Sequence, residues 1–434
     1  MPSSGASSRD LVLAKAMDVQ IVTSPGGIAA WLVEDYTAPM FALRYAFRGG
    51  ASQDPVGKEG LTNFVVLMLD QGAGDLTGVE FQQRVDELAI RVEFAAGIDA
   101  VTGSIEALSE TRGAAADLVG LALTRPRFDA DAVERRRRRL LSFHGGEARA
   151  PQLIADAQWN AVAFAGHPYA GRVCGHEASV NRITAADLKS YCKGVLAKDK
   201  LKVVAVGDIT AGELGEALDR LFGDLPARSD LVEIPDIDPV TGGRLRVAEL
   251  DLTQSTVAFG MGAVAYDSRD YIPACVLTHI VGGNGLSSRL ATELRGKRGL
   301  VYSAMTWLER RQHAAVFRGS MATRNDTVSQ SLEIVRDEMQ KMSDGQLSQE
   351  ELDDAKSYLI ASYPLTFGSH RKIAAQLLDH SMDGFGPGFF ETRKATIAAV
   401  TLGDLKRVAK HMLNPDNLII SIAGTPALQA ARSA

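Results

Sequence analysis

Leu286-Ser-Ser288-Arg289-Leu-Ala-Thr-Glu-Leu-Arg295-Gly296-Lys-Arg-Gly299-Leu300-Val-Tyr302-Ser303 is the stretch whose reading decides the fold. Helix-forming residues run from Ser288 to Arg295, Gly296 and Gly299 interrupt them, and a β-like run begins at Leu300 and continues to Met305. The spacing predicts a helix, a tight turn and a strand. Arg295 falls at the helix end and Tyr302 at the strand start, so the fold-back sets a guanidinium and a phenol on one side of a cleft. An arginine fork grips a peptide carbonyl or carboxylate, and a tyrosine hydroxyl donates to a developing oxyanion. The same spacing also suits a plainer arrangement, in which Arg295 caps the helix C-terminus and Tyr302 is half-buried core. At the level of sequence both readings stand.

Working outward, the chain matches itself at an offset of 217 residues without a gap. Thr184, Asp187, Leu188, Lys189, Leu196, Asp199, Leu201 and Gly207 fall on Thr401, Asp404, Leu405, Lys406, Leu413, Asp416, Leu418 and Gly424. In each copy Thr-x-x-Asp is a variant capping box that opens a helix, and an apolar strand follows, Leu201 to Val206 or Leu418 to Ile422. Two homologous domains are the economical reading. Between them, Phe222 to Gly243 holds Pro226, Pro235, Pro239, Gly242 and Gly243 among acidic residues, the composition of a linker. The expected division is a Ser-rich N-terminus over residues 1–15, a first domain over 16–222, a linker over 223–243 and a second domain over 244–434.

In the first domain, strands are expected at Ile28 to Val33, Met40 to Phe47, Arg91 to Ala96 and Ala100 to Glu106. Helices are expected at Leu61 to Leu69, Val79 to Leu88 and Thr111 to Leu123. This is an α+β arrangement, with a mixed or antiparallel sheet covered by helices in each domain. Gly282-Gly283-Asn284-Gly285 lacks the Lys-Ser/Thr of a phosphate loop and misses the dinucleotide spacing.

Composition excludes several classes. Forty-seven Lys and Arg against 53 Asp and Glu give a net charge of −6, which offers no global attraction to nucleic acid or an anionic membrane. The five arginines Arg135 to Arg139 read as a solvated helix face paired at i,i+4 with Asp131 or Glu134. No run of apolar residues is long enough for a membrane span. Cys174, Cys192 and Cys275 are too few and too scattered for a disulfide framework or a Cys-x-x-Cys zinc site. His167 and His176, with Cys174 and Glu177 nearby, read as a chance loop cluster. The N-terminus lacks the apolar core of a secretory signal, so the expected location is the cytoplasm, or the bacterial periplasm if the chain is a mature form.

The pattern Ser-Ser-Arg-Leu…Leu-Arg-x-Lys-x-Gly-Leu-x-Tyr resembles the arginine–tyrosine pair in the C-terminal half of pitrilysin/insulinase-type (inverzincin) metallopeptidases, in their short, processing-peptidase-like branch. The resemblance extends over nearly the whole chain. It implies that the helix after the first hairpin should carry His-x-x-Glu-His, with two zinc-binding histidines and a glutamate general base. Here that helix reads Asn63-Phe64-Val65-Val66-Leu67: Asn63 replaces the first His, Val66 the base and Leu67 the second His. The remaining carboxylate ligand aligns with Ser142 on the long helix that begins near Asp131. Valine and leucine ligate no metal, and one amide with one hydroxyl does not replace three strong ligands and a base. No catalytic zinc is expected in this chain.

Three functions are compatible with that loss. The chain resembles the non-catalytic subunit of a heterodimeric zinc metallopeptidase, inactive alone. In such a pair the partner supplies His-x-x-Glu-His and zinc, and this chain supplies Arg295 and Tyr302 for hydrolysis of unfolded or short peptides. Alternatively it is a structural scaffold, like the core subunits of the respiratory bc1 complex, or a peptide-binding module with no peptidase role. A complementing subunit has a chemical reason to keep the Arg/Tyr pair; a scaffold has none.

Overall fold

The computed structural model describes residues 18–428 except 148, 149, 284 and 286. The expected N-terminal segment 1–15 and Leu286 lie outside the described residues. The principal elements of the first half are β1 Gln20–Thr23, β2 Ala29–Glu34, β3 Met40–Arg48, α1 Leu61–Met68, α2 Gly78–Glu87, β4 Arg91–Ala96 and β5 Ala100–Leu108. They continue with α3 Arg112–Thr124, α4 Ala130–Glu147, α5 Pro151–Ala163, α6 Ala185–Val195, β6 Leu201–Gly207 and α7 Ala211–Phe222. The second half carries β7 Arg244–Ala248, β8 Gln254–Gly262, α8 Tyr271–Gly282, β9 Val301–Arg311 and β10 Ala314–Arg324. After these come α9 Val328–Ser343, α10 Gln349–Ser362, α11 His370–Met382, α12 Phe389–Ala399, α13 Leu402–Met412 and β11 Ile419–Ala423.

The internal repeat reappears as repeated topology. One sheet has the order β1-β2-β6-β3-β5-β4 and the other β9-β10-β8-β11-β7. Read from opposite ends, the second repeats the first without its outermost strand. In each sheet one pair is parallel, β2 with β6 and β11 with β7, and the other pairs are antiparallel. Both expected capping boxes form: Thr184 and Asp187 exchange side-chain-to-backbone bonds at the start of α6, and Thr401 and Asp404 do so at α13. The fold is the expected α+β one, two sheets of mixed pairing covered by helices.

The compact units do not follow the linear division at two segments. One unit contains residues 1–138, 173–232 and 361–394; the other contains 139–172, 233–360 and 395–434. The sheets respect the expected halves, but α5 packs on β8 and β11 of the second sheet, and α11 packs on β3 and β6 of the first. α5 and α11 occupy equivalent places in the repeat, so each half lends the same helix.

The two dockings differ in chemistry. In the first unit α11 lays Ala374, Leu377 and Leu378 against Val33, Ala42, Ala46, Val204 and Val206, an apolar seam burying each of these side chains. His370 at its start meets Asp35 at 3.0 Å, and Arg371 reaches Glu93 and Glu106. In the second unit α5 docks through polar groups around one indole. Trp159 is fully buried, its Nε1–H donates to the Ile419 carbonyl at 3.1 Å, and the Arg318 guanidinium lies 3.9 Å from its ring centroid. Arg318, 2% exposed, also pairs with Asp156, and Asn160 accepts from Arg311 at 2.8 Å. Gly260 makes room for the indole: a Cβ there would sit 3.0 Å from Cζ2 of Trp159 and 2.3 Å from the Phe317 carbonyl.

The linker carries no helix or strand, yet it is pinned. In the first unit Val232 exchanges backbone hydrogen bonds with the Gln53 amide side chain. In the second, the Ile237 N–H donates to the His313 carbonyl, His313 Nδ1 meets Asp236 at 3.0 Å and His167 Nε2 meets the Pro235 carbonyl at 2.9 Å.

Candidate functional site

Arg295 and Tyr302 are brought together. The Arg295 guanidinium carbon lies 4.9 Å from the centroid of the Tyr302 ring, over its face. Both side chains are exposed, Tyr302 by 81%. The half-buried core position allowed for Tyr302 by the plainer reading is not what forms.

Local backbone accounts for this. The helix at Arg289 and Leu290 widens into a π-helical turn over Ala291–Gly296, in which the Lys297 N–H donates to the Thr292 carbonyl five residues back. Gly299, at φ +61°, reverses the chain in a left-handed conformation that a side chain would strain. Its N–H donates to the Arg295 carbonyl, and the Leu300 N–H to that of Leu294. β9 then begins with a bulge: Val301 pairs with Thr323 and Ala304 with Met321, leaving Tyr302 and Ser303 out of register. Val301 and Ala304 are buried while the two residues between them face solvent, so the bulge turns the phenol outward. A regular strand would have placed Tyr302 and Ser303 on opposite faces.

The electrostatics single out Arg295. Glu293 ion-pairs with Lys297 and Arg298 at 2.5 Å each, and hydrogen bonds from Lys297 and then Arg298 hold its carboxyl below the ordinary range. Among the described residues no carboxylate pairs with Arg295. β9 is the outer strand of its sheet, and Met305 and Trp307 follow Tyr302 on its exposed side. An exposed, uncompensated guanidinium placed over an exposed phenol ring presents planar N–H donors beside one O–H donor. That is an arrangement suited to peptide carbonyls and carboxylates.

Asn63, Val66 and Leu67 lie on α1, with Val66 buried and the other two half-buried, and Ser142 is exposed on α4. These residues do not suit zinc. Among the described residues no group of three or more His, Cys, Asp or Glu is placed to hold a metal ion. α1 is nevertheless built with care. Gly60, at φ +95°, opens it, and Asp54 accepts from the N–H groups of Gly60 and Thr62 and from the Thr62 hydroxyl at 2.8, 2.9 and 2.6 Å. Burial pushes the Asp54 carboxyl up to about 6 against the opposing pull of those hydrogen bonds.

The arginine run is only partly the expected solvated face. Arg135 pairs with Asp131 and Arg137 with Glu134, but Arg137 is mostly buried, donates to the Val180 and Ile183 carbonyls and stacks over Phe64. Arg136 pairs with Asp70 at 3.1 Å. The helix period turns these two inward, where loop carbonyls and an acid take up their charge. His167 and His176 cap short helical turns, each accepting a backbone N–H at Nδ1, from Tyr169 and Ser179.

The chain is similar to several known proteins. Residues 182–359 match the family model described as Peptidase M16 inactive domain. The chain is 27% identical to the non-peptidase homolog YmxG of Helicobacter pylori over 76% of its own length and 77% of that protein. It is 23% identical to the probable mitochondrial-processing peptidase subunit beta of Schizosaccharomyces pombe, over 70% and 68% of the two chains. Its fold superposes on the crystal structure of a peptidase M16 inactive domain from Pseudomonas fluorescens with a TM-score of 0.89 at 25% identity, covering 95% of this chain and 99% of that one. The chain is thus similar over residues 182–359 to the peptidase M16 inactive-domain model, and over most of its length to non-catalytic homologues of that family.

Proposed function

We propose that this chain is the non-catalytic subunit of a two-chain zinc peptidase, completing the site of a partner that carries His-x-x-Glu-His. The observation that carries the reading is the Arg295 guanidinium resting on an exposed Tyr302 ring, in a chain with Asn63, Val66, Leu67 and Ser142 where the resemblance implies zinc ligands and a general base. The partner's zinc would polarise the scissile carbonyl and activate water. Arg295 binds a carbonyl of the extended peptide and fixes its register. Tyr302 donates its hydroxyl proton to the oxygen on which negative charge develops, an interaction strongest in the transition state. The substrates are unfolded or short peptides.

The test mixes the chain with such a partner, confirms the complex by gel filtration and measures peptide hydrolysis. Tyr302→Phe is expected to leave assembly and KM near wild type and to lower kcat by about 10²–10³. Arg295→Ala is expected to raise KM as well. Unchanged kinetics in both variants would reduce the chain to architecture.

A further inference from the structure

We propose that Arg289 is a positioning residue, holding the π-helical turn in the register that sets Arg295 over Tyr302. The functional meaning of this rests on the reading above; the geometry does not. Ser288, Arg289 and Leu290 form the head of the turn, and each has one task. Ser288 is buried; its carbonyl accepts the Thr292 N–H at 2.9 Å and its hydroxyl the Ala291 N–H at 3.4 Å. Leu290 is fully buried in the apolar core of its unit. Arg289 forks onto Glu351, Nε to Oε1 at 2.6 Å and Nη2 to Oε2 at 3.0 Å. Nη1 lies 3.5 Å from Glu338, and Nη2 also donates to the Gln346 carbonyl.

Every receiver of that fork is itself fixed. Glu351 closes a capping box with Ser348 at the start of α10, and Glu338 is buried on α9, where Lys341 meets it at 2.6 Å. One guanidinium therefore ties the head of the turn to α9, to the loop before α10 and to the first turn of α10.

The anchor matters because the next residues are π-helical. A π-turn carries one residue more than the α-helical turn it replaces, and isolated π-turns persist only where surroundings enforce them. Relaxation to α geometry shifts the hydrogen-bond register by one residue, which rotates side chains beyond it by roughly 100°. Gly299 and the Leu300-to-Leu294 bond fix the far end, so the near end decides whether the extra residue stays. With Arg289 released, the turn can slip and carry Arg295 off the phenol.

The experiment places a single fluorotyrosine at position 302 of the full chain and follows its ¹⁹F resonance, which reports the cation on the ring. Arg295→Gln is expected to shift the resonance, and Arg289→Gln to shift it to the same place although it lies outside contact. Arg289→Lys, which keeps the charge but loses the fork, is expected to give a mixture. A merely structural Arg289 would lower the melting temperature and leave the resonance at its wild-type position in the folded protein; that result overturns the proposal. So does an Arg295→Gln variant with an unmoved resonance, since the pair is then not formed in solution. If Arg289→Gln does not fold, Glu351→Gln removes the fork's acceptor and is read the same way. With the zinc-bearing partner added, Arg289→Gln and Arg295→Gln are expected to lose equal turnover, and the double variant no more. Coupled resonances with unaffected turnover would retain the positioning role and overturn the peptidase reading instead.

Discussion

Trp159 lies in the N-terminal half of the chain, yet its replacement should unfold the sheet built from the C-terminal half. The indole is fully buried beneath Arg318 and donates to the Ile419 carbonyl of β11. Truncating a buried aromatic to Ala costs about 3–5 kcal/mol through lost contacts and the cavity left behind. The unpaired indole hydrogen bond adds about 1 kcal/mol, and removing the ring from a desolvated guanidinium about 2 kcal/mol. These overlap, and about 5 kcal/mol is the expected loss for Trp159→Ala, a third or more of an ordinary domain's stability. Trp159→Phe keeps most of the packing and a ring for Arg318, and should cost only about 1–2 kcal/mol. Urea unfolding followed by circular dichroism gives the totals, and hydrogen exchange read by mass spectrometry locates them. Amides of β8 and β11 should lose protection while those of β3 and β6 keep theirs. A loss below about 1 kcal/mol, or protection lost first in β3 and β6, would refute the docking of α5 on the second sheet.

Asp54 predicts an inverted acid response. Its folded-state pKa of about 6 exceeds the ordinary 3.8, so the folded protein holds the proton more tightly than the unfolded chain does. Its contribution is present in full below about pH 4 and is lost as pH rises through 6, on the order of 3 kcal/mol. Asp54→Asn should therefore flatten this part of the stability–pH curve in chemical denaturation between pH 4 and 7; an unchanged slope would show that Asp54 is ionised at little cost. The purified protein should contain no stoichiometric zinc by elemental analysis and cleave no peptide alone. One tightly bound equivalent, lost to a chelator together with activity, would sink that expectation.

Much of the fold was legible because short-range signals agreed with long-range structure. The nearly continuous apolar run of Met40 to Phe47 and the Thr-x-x-Asp boxes marked elements whose observed bounds differ by a residue or two. The Arg295–Tyr302 juxtaposition followed from glycine positions that force a fold-back. The outward aim of Tyr302 did not, because neither the π-turn nor the bulge has a distinctive residue signature; both arise from how neighbouring strands and helices constrain the ends. The lending of α5 was equally invisible. Its pattern states that one side is to be covered, and Trp159, Asn160 and Asp156 give no sign that the covering strands lie more than ninety residues further along. Arg136 and Arg137 were misread for a related reason: a run of like charges looks solvated until the carbonyls of Val180 and Ile183 are seen to face it.

The lent helices bear on how such a chain can change over generations. A half that has lost its chemistry is ordinarily free to erode or be deleted. Here the half that carries Asn63, Val66 and Leu67 also supplies a helix that covers the other half's sheet, and receives one in return. Neither half can be dropped without stripping the back of the one retained. Any selection acting on the Arg295–Tyr302 face would therefore also preserve residues such as Trp159 far from it in sequence, and the two halves are inherited together or not at all.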